Sequence, residues 1–305
     1  MDRSELQIRN NEFRPWENCK PPKSYVFLKK HKVASSTLRI LFKQIDRHLG
    51  LQSEPTLIGP QGGCYPARIT KKCLVDGYEK IQSINYHFRW NMDEIDDLLE
   101  DGTIRVTSIR EPLSCFRSVY NYFYARMKRT NVSCESPCWY YPFIEITNGI
   151  YNHSIAGFID LLPERFDPTA TRNFRVKNFQ SFELGLDHLR LVFKMLNSLL
   201  GALDTILKTI TRDDDEYILA SIETLEKQFS LVILTEYFLE SMVLLADIMC
   251  IPYEVLWTER KKELDYYKEP LNERQMEIFK TFFKQDYMVY HHFNKTLHSK
   301  LSMFE

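Results

Sequence analysis

The sequence predicts an α/β protein with a mainly parallel central sheet, helices on the faces of that sheet and a mostly helical C-terminal third. Two observations support this fold class. Short apolar runs that are typical of buried strands alternate with longer amphipathic stretches of helical periodicity. No internal repeat or low-complexity linker divides the chain, which favours a single layered unit. We therefore expect a polar N-terminal segment at residues 1–22 and one domain at residues 23–305.

The predicted elements follow one another in a simple order. A first strand at 24–28 leads into a helix at 36–49, whose apolar residues recur near one face. A second strand is expected at 81–88, followed by a helix that opens at Asn91 with Glu94 in a capping-box position. The remaining predicted elements are a loop at 59–63, a strand at 104–109, a helix at 112–127, a broken helical stretch at 186–229, a strand at 231–234 and a helix at 237–249.

The loop between the first strand and the first helix has the composition of an anion-binding site. Two lysines supply charge, and small hydroxyl residues stand at the N-terminus of the helix, where main-chain N–H groups have no partner within the helix. The expected ligand is a phosphate or phosphosulfate, which points to a nucleotide-dependent enzyme. The candidate binding residues are Lys29, Lys32, Val33, Ala34, Ser35, Ser36, Thr37 and Leu38.

Two other interpretations of this loop compete with that one. A Walker-type nucleotide site has glycines followed by a lysine. This loop has no glycine and its lysines precede the small residues, so an ordinary ATPase or kinase site is disfavoured. A basic, solvated turn between a strand and a helix is the plain structural alternative.

A second strand-to-helix junction strengthens the nucleotide interpretation. The strand predicted at 104–109 runs into Arg110, and Pro112 suits the first position of the following helix. The planar guanidinium of Arg110 can bind an oxyanion through two N–H groups, and Ser118, two turns into the helix, adds a hydroxyl. We expect Arg110 and Ser118 to bind a second phosphate.

These two segments resemble the phosphosulfate loop and the 3′-phosphate motif of sulfotransferases that use 3′-phosphoadenosine 5′-phosphosulfate (PAPS). Within that superfamily the chain resembles the galactose-3-O-sulfotransferases. The segments that carry the resemblance are 32–37, 83–90, 110–118, 173–178, 182–186, 234–241 and 290–294. They occur in the family's order, so the resemblance covers residues 23–305 and implies a P-loop-like sulfotransferase catalytic domain.

The resemblance also implies a reaction and a set of roles. A sulfuryl group is expected to move from PAPS to a hydroxyl, the 3-hydroxyl of a terminal β-galactose on a glycolipid or glycoprotein, leaving 3′-phosphoadenosine 5′-phosphate (PAP). Lys32 is expected to stabilise the oxygen that leaves with the nucleotide, and Lys29 to assist on the phosphosulfate. His87 is the expected base for the acceptor hydroxyl, with His31 as the alternative or a partner. No metal ion is expected, because amides and cations supply the charge.

Three positions depart from the residues that are usual in this family. Threonine is usual where this chain has Lys30 and Val33, and a second histidine is usual where it has Tyr86 beside His87. The lysine is expected to make the loop more basic. These departures bear on acceptor specificity more than on the identity of the donor.

Composition and charge agree with an enzyme of this kind. The 305 residues are 44% hydrophobic and 27% charged, and the net charge of −1 provides no overall field that would favour nucleic acid. The same balance gives no support to a long basic groove for a glycosaminoglycan, although a glycosaminoglycan sulfotransferase is one alternative function. A non-catalytic nucleotide- or glycan-binding relative is another, and a homodimer is left open.

Targeting and redox features bear on location. The sequence has no apolar stretch long enough to span a bilayer and no signal-peptide region at its start. Because members of the family are normally anchored in the Golgi membrane, we expect a Golgi location and membrane association by resemblance, with the anchor absent from this sequence. The seven cysteines leave at least one unpaired, and the spacing of Cys134 and Cys138 is compatible with a disulfide. Sequons at Asn131, Asn152 and Asn294 are compatible with a lumenal protein.

Overall fold

Four parallel strands form the central sheet in the described part of the chain. The computed structural model describes residues 19–51, 65–74, 82–130, 143, 146–147, 154–167, 176–186, 215–257 and 268–303. The strands are β1 (Tyr25–Leu28), β2 (Ser83–Ile84), β3 (Ile104–Ile109) and β4 (Leu231–Leu234). Their order is β2–β1–β3–β4, and every pairing is parallel, which confirms the predicted fold class.

The strand order reverses at β1, and this reversal positions the site. The chain passes from β1 to the edge strand β2 and then returns across β1 to pair β3 on its other side. In parallel sheets the crevice at the carboxyl ends of the strands, next to such a reversal, is where ligands bind. The loops that follow β1 and β3 both leave the sheet at this crevice.

Helices surround the sheet and make up most of the described C-terminal third. The helices are α1 (Ser35–Leu49), α2 (Ile95–Leu98), α3 (Pro112–Thr130), α4 (Ile155–Arg165), α5 (Phe179–Glu183), α6 (Asp215–Gln228), α7 (Phe238–Met249), α8 (Glu273–Phe282) and α9 (Lys284–Leu301). Short 3₁₀ turns occupy Lys71–Cys73, Thr235–Tyr237 and Tyr253–Leu256. Both α7 and α9 pack against β4.

The first strand and first helix form because their apolar residues must be buried together. All four residues of β1 are fully buried, as expected for a parallel strand covered on both faces. The inward face of α1 carries Leu38, Leu41, Phe42 and Ile45. Phe42 stacks on Phe27 with ring centroids 4.4 Å apart. The helix ends at Gly50, whose left-handed φ of 64° suits a glycine.

Two apolar clusters meet at the loop between β1 and α1. The first cluster surrounds the sheet and includes Leu28 and Leu38, on either side of the loop. The second includes Val33, in the middle of the loop. Aromatic side chains dominate the second cluster, among them Phe116, Phe158, Phe279 and Phe283. The loop is therefore anchored to the first cluster at both of its ends and to the second cluster at its centre.

The strand predicted at 81–88 is shorter than expected. Only Ser83 and Ile84 pair with β1. Further along, Arg89 pairs with Arg68 in an isolated bridge, so the chain has left the sheet ladder before it reaches His87.

The capping box predicted at the next helix is wrong. Helix α2 begins after Glu94, which provides no side-chain cap. Asn91 instead donates from Nδ2 to the carbonyl of Ile69 at 3.0 Å. The predicted loop at 59–63, the helical stretch at 187–214 and most of the N-terminal segment lie outside the described residues. Among the described helices, none has the length and apolar character that a membrane span requires.

Candidate active site

The loop after β1 adopts a backbone conformation that favours an anion. Lys32 and Ala34 have left-handed φ values of 63° and 57°. Side chains other than glycine adopt this region at a cost of about 1–2 kcal/mol. When right-handed and left-handed backbone conformations alternate along the chain, successive N–H groups point toward one place. The first turn of α1 has no acidic residue and no side-chain cap from Ala34, so its N–H groups are free to meet a negatively charged ligand.

The predicted anion-binding residues divide into two groups. Val33 and Leu38 are fully buried in the two apolar clusters, so they can offer a ligand only main-chain groups. The hydroxyl residues at the start of α1 differ in exposure: Ser35 is buried, Thr37 is partly buried and Ser36 is exposed. The loop therefore combines an apolar interior with a polar outer surface.

Lys32 and Arg110 approach each other across the crevice. The Nη1 atom of Arg110 donates to the carbonyl of Lys32 at 3.5 Å. The ammonium of Lys32 lies 4.2 Å from the centre of the Tyr122 ring, a cation–π contact that fixes its position. Burial lowers the pKa of Lys32, and the nearby charge of Arg110 lowers it further. A bound anion would relieve both effects.

Arg110 follows β3 as predicted, and Pro112 begins α3 as predicted. Within the described residues, the buried Nε atom of Arg110 has no hydrogen-bond partner, which leaves donor capacity for a ligand. Ser118 is buried on α3. The loops after β1 and β3 are also linked directly, because Ser108 Oγ donates to the carbonyl of Val33 at 3.2 Å.

The two predicted histidines stack on each other. The ring centroids of His31 and His87 are 4.0 Å apart, with 19° between the ring planes. The segment that carries His87 is joined to the loop by a hydrogen bond from the Lys29 N–H to the carbonyl of Tyr86, at 3.1 Å. Burial lowers the pKa of His87 to about 2, and the electrostatic influence of the neighbouring His31 ring and of Lys29 acts in the same direction. His87 is therefore neutral at physiological pH.

Sequence reasoning missed the residue that holds His31. Glu183, on α5, is fully buried. Its Oε2 atom accepts the His31 backbone N–H at 3.0 Å, and its Oε1 atom lies 2.5 Å from His31 Nδ1. The only earlier indication was that Glu183 lies within the 182–186 segment that carries the resemblance.

A second buried carboxylate supports the short helix that carries Glu183. Asp286, on α9, accepts the backbone N–H groups of Gln180 and Ser181 at 3.2 and 2.7 Å. It also accepts the Ser181 hydroxyl at 2.6 Å. These groups belong to the first turn of α5, so Asp286 caps the helix from outside.

Lys30, which was expected to make the loop more basic, points inward. Its side chain is fully buried, and its Nζ atom has no hydrogen-bond partner among the described residues. Burial lowers its pKa to about 8, against the attraction of Glu183 and Asp286, which favours the charged form. The buried ammonium offsets part of the charge of these two carboxylates.

The donor set His31, His87 and Glu183 has the residue types of a metal site, and its ligand atoms lie within 4.8 Å of one another. The geometry favours a hydrogen-bonded pair of His31 and Glu183 with His87 stacked on it. Because the rings are stacked nearly parallel, the lone pairs of their nitrogens do not converge on one ion. Both Glu183 oxygens already contact His31, one through its backbone N–H and the other through Nδ1.

Comparison with known proteins identifies the family of this chain. A sequence model of the galactose-3-O-sulfotransferase family matches residues 4–305. The galactosylceramide sulfotransferases of Mus musculus and Homo sapiens are 27% and 28% identical over 294 residues, which is 94% of this chain and 59% of each relative. Galactose-3-O-sulfotransferase 3 of Bos taurus is 28% identical over 226 residues, 73% of this chain and 44% of the relative. The chain thus spans less than two thirds of the length of these relatives. It belongs to the galactose-3-O-sulfotransferase family.

Proposed function

We propose that the protein is a carbohydrate sulfotransferase that transfers a sulfuryl group from PAPS to a hydroxyl of a galactose-terminated acceptor. The carrying observation is that three elements adjoin one another: the left-handed loop with Lys32, the guanidinium of Arg110 and the stacked pair of His31 and His87. Such a site provides two cations for a donor with two anionic groups and a base beside them. Membership of the family supports the same donor and the same sugar.

The residues around the loop fit a phosphosulfate donor. The uncapped first turn of α1 and the left-handed loop supply N–H groups, and the unpartnered Nε of Arg110 supplies a donor for a second phosphate. PAPS supplies the chemistry, since its sulfuryl group passes to the acceptor oxygen as the bond to the nucleotide oxygen breaks. Lys32 neutralises the charge that develops on the nucleotide side, with Lys29 assisting. Arg110 and Ser118 hold the 3′-phosphate.

His31 is the better candidate for the base, and His87 is its neighbour. A base must accept the hydroxyl proton near neutral pH, and a nitrogen with a pKa of about 2, as in His87, has little affinity for it. The oxygens of a carboxylate accept hydrogen bonds, so the contact with Glu183 favours the tautomer of His31 with its proton on Nδ1. In that tautomer the lone pair on Nε2 can take the proton of the acceptor. His87 stacks behind it and limits its rotation.

We also propose that the protein acts in the Golgi lumen on galactose-terminated glycolipids or glycoproteins. A disulfide joins Cys19 to Cys250, whose Cα atoms are 5.7 Å apart, and disulfides of this kind persist in oxidising compartments. Cys115 is free and buried, in agreement with the odd number of cysteines. Cys134 and Cys138 lie outside the described residues.

The direct test is transfer of radiolabelled sulfate from PAPS to a panel of soluble and lipid-linked β-galactosides. Lys32→Ala and His31→Ala are each expected to lower kcat by at least about 100-fold, because each removes charge or proton transfer in the transition state. Lys43→Ala, a matched change on the exposed side of α1, should leave transfer unchanged.

A parallel measurement of PAP binding separates the two halves of the proposal. Arg110→Ala is expected to weaken PAP binding about tenfold or more, whereas His31→Ala should bind PAP normally. PAP binding without transfer to any galactoside would retain the nucleotide site and reject galactose as the acceptor. A glycosaminoglycan panel would then be the next set of acceptors.

A further inference from the structure

Glu183 makes two hydrogen bonds to one residue, which is more than is needed to neutralise a charge. One oxygen accepts the backbone N–H of His31 and the other faces the ring nitrogen Nδ1 of the same residue. The first bond fixes the position of the main chain at His31, and the second fixes the orientation of the ring and the nitrogen that carries the proton. A carboxylate is suited to this double role because both of its oxygens accept.

The carboxylate is held rigidly in this position. Glu183 ends helix α5, whose first turn is capped by Asp286. Its own carbonyl accepts the N–H of Trp90 at 3.0 Å. Two residues later, Gly185 lies so close to Trp90 that a Cβ atom would stand 2.3 Å from the Trp90 carbonyl oxygen. The segment behind His31 is therefore packed against the chain that follows His87.

Lys30, the residue before His31, is also fully buried. Burial lowers the pKa of its ammonium to about 8, and the attraction of Glu183 and Asp286 opposes that shift. Lys30 and His31 are consecutive, so the same short stretch carries both the ring and a buried cation.

We propose that Glu183 is the positioning residue of His31 and that it holds the ring in the tautomer with a proton on Nδ1. The inference rests on the proposed function in one respect only, namely that the Nε2 atom of His31 serves as the base. The alternative is that Glu183 is a structural clip with no influence on the state of the ring.

The variant that separates these roles is Glu183→Gln. A glutamine has nearly the same shape but only one acceptor oxygen, and its NH₂ group is a donor. If its oxygen accepts the His31 N–H, its NH₂ faces Nδ1 and requires that nitrogen to accept. The proton then moves to Nε2, and the ring can no longer act as a base from that atom. An amide substitution of this kind is known to preserve geometry and impose the wrong tautomer.

The chain offers a matched control in a second histidine–glutamate pair. His292 Nε2 lies 2.8 Å from Glu226 Oε2 on the outer side of α9, and both side chains are partly exposed. Glu226→Gln therefore makes the same chemical change away from the crevice. Glu183→Asp serves as the conservative variant, because it keeps the charge and shortens the reach.

Two readouts test the inference. The ¹⁵N resonances of the histidine rings in the intact protein report the tautomer of His31 without any substrate. Glu183→Gln should shift the proton from Nδ1 to Nε2, lower kcat by about 10²–10⁴-fold and change PAP affinity less than about threefold. Glu183→Asp should restore part of kcat. Glu226→Gln should change neither the tautomer of His31 nor kcat.

The outcomes distinguish this inference from the proposed function. An unchanged tautomer in folded Glu183→Gln would overturn the positioning role. A changed tautomer with full sulfate transfer would support the positioning role and reject His31 as the base. If the wild-type protein transfers no sulfate to any galactoside, the proposed function fails. A changed tautomer in Glu183→Gln would still support the positioning role.

Discussion

Gln180 and Arg110 exchange two hydrogen bonds. The Oε1 atom of Gln180 accepts the backbone N–H of Arg110 at 2.8 Å, and its Nε2 atom donates to the Arg110 carbonyl at 2.8 Å. The glutamine side chain thus takes the place of a neighbouring strand at the end of β3. Because Gln180 lies on α5, the same short helix fixes both the arginine and, through Glu183, His31.

We expect Gln180→Leu to weaken nucleotide binding through Arg110. The change leaves two main-chain groups of Arg110 without partners, which should lower the free energy of unfolding by about 1–3 kcal/mol. The displaced arginine should weaken PAP binding about tenfold, measured by calorimetry. Gln228 also uses both ends of its amide: its oxygen accepts from Trp90 Nε1 and its Nε2 atom donates to the carbonyl of Met92. Gln228→Leu should therefore cost similar stability and leave PAP affinity unchanged; equal affinity losses in both variants would contradict the proposed link.

A pair of glycines tests how tightly the segment behind His31 is packed. Gly185 and Gly102 have φ values of +80° and +77°, but a Cβ at Gly185 would meet the Trp90 carbonyl oxygen at 2.3 Å, whereas nothing lies within 4 Å at Gly102. Gly102→Ala should cost only the strain of the left-handed region, about 1–2 kcal/mol. Gly185→Ala should cost about 1–3 kcal/mol more because of overpacking. Urea unfolding measures both, and equal losses would show that Trp90 yields to the added methyl group.

The buried His87 predicts a loss of stability in mild acid. Its pKa is lowered to about 2 in the folded protein, against about 6.5 in the unfolded chain. Between these values the unfolded state binds the extra proton, so stability is highest above pH 6.5 and falls as pH decreases. From pH 7 to pH 5 the contribution amounts to about 2 kcal/mol. Urea unfolding of wild type and His87→Gln over this range should show a shallower decline for the variant, and parallel declines would refute the assignment.

The disulfide between Cys19 and Cys250 should contribute strongly to stability. It joins residues separated by 231 positions in the sequence, and cross-links of long loops restrict the unfolded chain most. Cys250→Ser should lower the free energy of unfolding by about 2–5 kcal/mol under non-reducing conditions. A reductant should narrow the gap between wild type and variant. Thermal melts that coincide in the absence of reductant would exclude this contribution.

The sequence was sufficient for the parts of the fold that local periodicity determines. The apolar runs predict β1, β3 and β4, the spacing of apolar residues predicts α1, and Pro112 predicts the start of α3. The anion-binding interpretation of the loop after β1 also relied on local composition. The strand expected at 81–88 is shorter because its last residues leave the sheet, and Arg89 pairs with Arg68 instead.

The supporting residues of the site could not be found in this way. Glu183 reaches His31 across 152 positions, and Asp286 reaches Gln180 across 106. Pairings over such separations leave no periodic trace in a single sequence. Lys30 shows the same difficulty: within a run of cations it suggests a solvated face, and only the fold reveals that its side chain is fully buried.

The capping of α5 by Asp286 also bears on the order in which the site can form while the chain is being synthesised. The loop after β1, with His31, is synthesised early. The carboxylate of Glu183 that binds His31 follows 152 positions later, and Asp286, which caps the helix of Glu183, follows later still. An emerging chain can assemble the loop long before it can orient the ring. If the proposed function holds, a chain released before α9 is made would lack the cap of α5 and should transfer no sulfate.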